Sequence, residues 1–221
     1  PAEWGFYRNG NDRFLPATVV PEELQALNDT AEAYGKYAAV HCHSKAGILL
    51  CAEVGIHTIE HASDIDDECI ERILSHGSHS AIIPTLGPIG LMRSGMLGES
   101  IAKKVRETSC EQQKMLEASR VGVLTGWGTD VSLDYYSSNP GSEFLLRKER
   151  GWTAVEMLEQ ATINSARIIG MDDDLGTIKA GKIADLVIVD GKPDEDIAVM
   201  TKYPWRILQA GKVTCAEGVI G

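Results

Sequence analysis

Between Pro21 and Gly170 short apolar runs of strand length alternate with segments punctuated as helices, and that alternation restricts the chain to few architectures. PEELQALNDTAEAYG has proline at a first helical position, apolar residues at Leu24, Leu27, Ala31 and Tyr34, and Gly35 as a stop, so it reads as an amphipathic helix. YAAVHC reads as a strand, AGILLCAEVG as a helix with a glycine end, and HTIEHA as a second strand. DIDDECIERILSHG follows as a helix with acids in its first turn, where the helix dipole favours them. SAIIPTL is a third strand, the run from Glu99 to Ala118 a helix behind it, VGVLTG a fourth strand, and TAVEMLEQATINSARIIG a helix closed by Gly170. Strands without clean in-out alternation, separated by helices, imply an α/β class with parallel strands covered by helices.

After Gly170 the pattern changes. LGTIKAGKIADLVIVDGKPDEDI and WRILQAGKVTCAEG are short β runs spaced by Gly, Lys and Asp, without helical periodicity, and they predict a small β annex. MDDDLG is the best boundary, giving residues 1–170 and 171–221 as the expected parts. The triplet Asp172, Asp173 and Asp174 reads as a solvated turn, because nothing near it supplies ligands at the spacing of a calcium loop.

Composition narrows the partners. A chain of 221 residues, 43% hydrophobic, can bury a substantial core, and 32 acidic against 21 basic side chains give a net charge of -11 that repels phosphate backbones and anionic lipid. Nucleic acid and membrane are therefore not expected partners, and no apolar run is long enough to span a bilayer. Five cysteines, odd in number and without CxxC spacing, fit a reducing, cytoplasmic setting.

His41, His61 and Asp130 sit where hydrophobic strands end, at the carboxyl end where parallel α/β folds keep their chemistry. Two imidazoles and a carboxylate delivered this way suit a divalent ion and the activation of water. Thr85 occupies the corresponding place after the third strand. His43 rivals His41, since side chains two apart on a strand share a face. His57 begins its strand, and His76 and His79 flank the turn before the next, so structural roles are expected for these three. Trp127, Tyr135, Tyr136 and Asn139 lie in or beside the loop after the fourth strand, where substrate contact and plain packing are both open readings. Met92 and Met96, in a glycine-rich loop, are read as loop packing or a lid.

AVHCHSKAGILLCAEVGIHTIEHAS, IIPTL, GVLTGWGTD and MLEQATINSARIIGMDDDLGTIKAGKIADLVIVDGKP together resemble the amidohydrolase superfamily, in the branch of imidazolonepropionases and Xaa-Pro and Xaa-Arg dipeptidases. The resemblance runs from about Pro21 to Val213, and its tail segment is its most specific part. It implies that His41 and His61 are the metal-binding histidines of the fifth and sixth strands of a TIM-type (β/α)8 barrel. It also implies that Asp130 is the eighth-strand aspartate, which contacts metal and moves the proton from water to the leaving nitrogen. His43, Thr85, Trp127, Tyr135 and Tyr136 become candidate substrate contacts.

The family's HxH after the first strand, and its fourth-strand ligand, often a carboxylated lysine, have no counterpart here. A full barrel needs eight βα units in about 250 residues, and about four are visible. The expectation is the carboxyl half of a barrel enzyme, followed by the C-terminal share of its small β-sandwich domain. The missing N-terminal half or another chain would complete it, and a second copy of the chain is a further candidate partner. The expected activity is hydrolysis of an amide-type C-N bond in a dipeptide or a small cyclic amide, with dipeptide-like substrates favoured. One or two divalent ions, zinc first among them, would serve the complete enzyme. The alternative is a split or truncated product with no activity until it is assembled.

Overall fold

The computed structural model describes residues 19–75, 80–88, 98–99, 113–131, 141–216 and 219–220. The chain folds as two compact units, one formed by Pro1–Pro84 with Thr108–Thr125, the other by Thr85–Glu107 with Gly126–Gly221. The boundary expected near Met171–Gly176 falls inside the second unit.

The first unit is a parallel α/β layer. Helix α1 (Pro21–Ala33) leads to strand β1 (Ala39–Cys42), helix α2 (Lys45–Val54), strand β2 (Thr58–His61), helix α3 (Asp67–Ser75) and strand β3 (Ala81–Ile83). The strands lie in the order β1-β2-β3, all parallel, with Ala39 opposite Thr58 and Thr58 opposite Ala81. Helix α4 (Gln113–Arg120) belongs to the same unit. Short-range chemistry sets these boundaries. The Ser44 hydroxyl caps α2 by accepting the Gly47 N–H at 3.2 Å, and Gly55, at φ 80°, ends it in the left-handed conformation that glycine tolerates. Asp66 accepts the Cys69 N–H at 3.0 Å, so α3 begins later than its acidic run suggests. Ile48, Ile56, Ile59 and Ile82 are fully buried between strands and helices.

The fourth expected strand, VGVLTG, is reduced to one parallel bridge between Ile82 and Thr125, beside an Ile82 N–H donated to the Leu124 carbonyl at 2.9 Å. Val121 and Gly122 are consumed in closing α4: Gly122 has φ 110° and the Val123 N–H returns to the Ala118 carbonyl at 2.9 Å. Only the last residues of the run are left to extend alongside β3.

The second unit holds helix α5 (Ser142–Glu149), a segment to which the sequence pattern assigns no helix. Next come helix α6 (Ala154–Glu159), a π-helical turn (Gln160–Asn164) and helix α7 (Ser165–Ile168), where one regular helix was expected. Thr153 opens α6 with a capping box, its hydroxyl accepting the Glu156 N–H and the Glu156 carboxylate accepting the Thr153 N–H. The expected β annex is an antiparallel sheet of β4 (Leu186–Ile188), β5 (Arg206–Gln209), β6 (Lys212–Ala216) and β7 (Val219–Ile220), in chain order. A 3-10 helix (Ile197–Thr201) lies between β4 and β5, and its Met200 carbonyl approaches Gly141, φ 68°, so closely that no Cβ fits there.

Among the described residues no disulfide links the cysteines, of which Cys42, Cys51 and Cys69 are buried, and no helix is long and apolar enough to cross a membrane.

Candidate metal centre

The parallel register of β1 and β2 brings histidines together at the carboxyl end of the sheet. Cys42 stands opposite His61 and His41 opposite Glu60, so a regular pleat would turn His61 to the side of Cys42, away from His41. The backbone breaks the pleat there: His61 has φ 73° and Ala62 φ 48°, both in the left-handed region. For residues carrying a Cβ this costs about 1–2 kcal/mol each. The result is that His61 Nε2 lies 2.7 Å from His41 Nδ1. Departures of this kind concentrate at functional sites.

His43, one residue past β1, completes the group. Its ring stacks on His61 at 4.6 Å with an interplanar angle of 14°, and meets His41 edge-on at 4.7 Å. One nitrogen from each of His41, His43 and His61 lies within 4.8 Å of the others, the only such grouping of three metal-ligating side chains among the described residues. The His43 Nδ1 is 2.8 Å from the Ser63 hydroxyl, which fixes the ring orientation as second-shell partners do for metal-binding imidazoles. Burial, with the neighbouring His61 and His41, lowers the His43 pKa to about 4. His43 is therefore neutral at pH 7, the protonation state in which imidazole can ligate a cation. His61 is 7% exposed, while the exposed His41 and half-buried His43 leave the group open to a small solute. Three converging imidazole nitrogens fit a divalent transition ion and do not fit a hard cation such as calcium or magnesium.

Asp130 belongs to the second unit, where it is exposed and has φ 50°, at the end of the irregular segment 126–130. Thr85 is half-buried at the start of that unit. The Trp127 ring stacks on Phe144 at 4.1 Å, with the Arg147 guanidinium 4.3 Å from its centroid, so packing accounts for its position. Tyr135, Tyr136 and Asn139 lie outside the described residues, as do Met92, Met96, His76 and His79. His57, expected to be structural, stacks on Tyr37 at 4.3 Å.

Two groups escaped the sequence reading. Ser63, in the turn after β2, orients His43, and nothing in its neighbourhood marks it out. Glu143, Arg147 and Gln160 form a fully buried polar cluster in the second unit, for which the i, i+4 charge spacing in SEFLLRKE was the available signal.

Comparison with known proteins agrees with this architecture. Residues 5–208 match the amidohydrolase family, and the chain belongs to it. It is 28% identical over 222 residues to an ochratoxinase from Aspergillus niger, covering 96% of this chain and 44% of that protein. It is 26% identical over 193 residues to an imidazolonepropionase from Geobacillus sp. strain WCH70, covering 81% of this chain and 40% of the relative. Among solved structures, a prolidase complexed with N-methylphosphonate-L-proline superposes with a TM-score of 0.79 at 29% identity, over 90% of this chain and 50% of that one. The chain thus spans about half the length of the relatives it matches.

Proposed function

We propose that the chain is the carboxyl-terminal half of a metal-dependent hydrolase that cleaves an amide-type C-N bond, with a dipeptide or dipeptide-like substrate. The observation that carries this reading is the convergence of His41 and His61, ring nitrogens 2.7 Å apart, with His43 stacked beside them at the carboxyl end of a parallel sheet in a chain of the amidohydrolase family. His41 and His61 are assigned as ligands of a divalent ion, with zinc first among the candidates. Bound there, the ion supplies Lewis acidity toward water and toward the scissile carbonyl. Asp130 is assigned as a further ligand and as the group whose carboxylate takes the proton from water and returns it to the leaving nitrogen. Of the three histidines His43 is assigned to substrate, with Thr85, Tyr135 and Tyr136, while Trp127 is left to its packing against Phe144 and Arg147.

Half-length coverage supports a (β/α)8 barrel built only partly from this chain, residues 1–170 contributing its later strands and 171–221 part of the small β domain. The remaining half, from the same polypeptide or another, would cover the open edges of the sheet. In the C-terminal sheet Val187, Trp205 and Val213 are each about half exposed, apolar surface that a further part of the protein would cover. On the second reading, favoured by the same coverage, these residues have no activity until assembled with that half.

The test is metal analysis of the full-length protein with a hydrolysis screen of dipeptides and cyclic amides. Stoichiometric transition metal and release of free amino acid are expected, with Asp130→Asn reducing turnover at least about 10²-fold. Metal-free protein that hydrolyses these substrates, or an Asp130→Asn variant near full activity, would overturn the assignment.

A further inference from the structure

We propose that the buried Glu143–Arg147–Gln160 cluster, together with Ser165, is a clamp that positions Asp130 by fixing the backbone of residues 126–129 before it. The proposal rests on the reading of Asp130 as a metal-binding and proton-transferring group. Everything it uses lies within the second unit.

Arg147, Glu143 and Gln160 are 0%, 1% and 1% exposed. Arg147 donates from Nε to Glu143 Oε1 at 2.9 Å, and from Nη1 to Gln160 Oε1 at 2.5 Å and to the Gly126 carbonyl at 3.2 Å. The other Glu143 oxygen accepts the Leu86 N–H at 2.8 Å, and the Gly87 N–H also bonds this carboxylate. One ion pair on α5 thereby grips two loops, one after β3 and one after the Thr125 bridge. A second line of bonds reinforces the grip: the Trp127 N–H donates to Ser165 Oγ at 3.2 Å, and Ser165 Oγ donates to the Gln160 carbonyl at 2.7 Å. Gln160 and Ser165 bracket the π-helical turn, an irregularity that recurs at functional sites.

The two loops also touch each other. A Cβ on Gly87 would sit 2.5 Å from the Thr129 carbonyl oxygen and would collide with the Val131 side chain. Gly126, Trp127 and Thr129 are therefore each held, by a carbonyl bond, an amide bond and a steric stop, and Asp130 follows directly in a left-handed conformation. Stability alone does not explain such a device. Well-packed apolar side chains of similar volume stabilise a core as well as a buried ion pair does. Here the bonds of the pair go to loop backbone around one carboxylate.

The experiment is a double-mutant cycle on cobalt(II) binding, read by visible absorption in the full-length protein. Asp130→Asn should weaken cobalt(II) binding. Arg147→Lys, which keeps the charge and loses the reach to Gly126, should weaken it by about 10- to 100-fold when Asp130 is present, the range for outer-shell partners of metal ligands. In the Asp130→Asn background the same change should have no further effect. If Arg147→Lys does not fold, Ser165→Ala takes its place in the cycle and leaves the ion pair intact. A lower melting temperature with unchanged cobalt(II) affinity, or an equal loss in both backgrounds, would reduce the cluster to a structural element and overturn the clamp. Wild-type protein that does not bind cobalt(II), or Asp130→Asn that binds normally, would instead overturn the metal-site reading beneath it, and the clamp with it.

Discussion

Arg147→Met makes the cost of the buried cluster measurable. The change keeps most of the side-chain volume and deletes the positive charge, leaving Glu143 at 1% exposure with backbone donors at Leu86 and Gly87 but no counter-charge. Removing one partner of a buried ion pair costs about 3–5 kcal/mol, because the remaining charge is stranded. The Gly126 carbonyl and the Gln160 amide oxygen also lose a donor, at about 1 kcal/mol or more each if left unmet. Protonation of Glu143 limits the total. Burial already raises its carboxyl above the usual range, opposed by Arg147 and its bonds, and deleting Arg147 removes that opposition. A carboxyl whose folded value lies above its unfolded value of about 4.3 favours the folded state most at low pH, and that contribution fades as pH rises through the folded value. The variant should therefore lose several kcal/mol at pH 8 and distinctly less at pH 5. Urea unfolding followed by tryptophan emission is the assay, since the Trp127 and Trp152 rings lie 4.3 and 5.8 Å from the guanidinium. Adding Glu143→Gln should recover much of the loss at pH 8, because the stranded charge is gone. A cost below about 1 kcal/mol, or the same cost at both pH values, would refute the claim that the pair is charged and sealed from water.

Three further predictions concern the histidines and the loops. His41→Ala should lower the metal content of the purified full-length protein and His43→Ala should not; elemental analysis giving the reverse order would exchange the two assignments. In metal-free protein the depressed pKa of His43, about 4 against 6.5 for an ordinary histidine, makes its contribution to stability full above pH 6.5 and progressively lost as pH falls from there toward 4; a His43→Gln variant with the same dependence over that range would exclude this origin. Gly87→Ala forces apart the Gly87 and Thr129 backbones and should cut turnover at least about tenfold with little change in KM, the pattern for a group acting in the transition state; a selective rise in KM would contradict it.

Where the sequence reading succeeds, the reason is that the signal is local. Pro21 and Gly35 bracket α1, Ser44 and Gly55 bracket α2, and the switch after Gly170 from helical to short β patterning marks the small sheet. The fourth strand failed because apolar composition does not distinguish an extended run from the turn closing a helix, and Val121–Gly122 served the helix. Helix α5 was missed for a different reason. Its buried face includes Glu143 and Arg147, so hydrophobic periodicity, the strongest helical signal, is replaced there by a charge pair that is indistinguishable in sequence from a solvated one.

The site divides along the same line. That His41 and His61 end strands is legible from composition, and so is their proximity once the strands are taken as parallel neighbours. What composition does not carry is the backbone inversion that aims them. Both His61 and Asp130 occupy left-handed conformations, at φ 73° and 50°, which residues with a Cβ disfavour and which His and Asp adopt more readily than most without their identity requiring it. Such a conformation persists only where surrounding contacts over-determine it. At Asp130 those contacts are the Gly126 carbonyl and Gly87, both held by the buried ion pair, and the Trp127 N–H, held by Ser165. At His61 they are the Ala62 N–H, donated to the Cys42 carbonyl at 3.0 Å, and the stacked ring of His43. The candidate site residues could be named from sequence because their identity is their signal. The residues that aim them were not, because their signal is a three-dimensional coincidence of ordinary side chains.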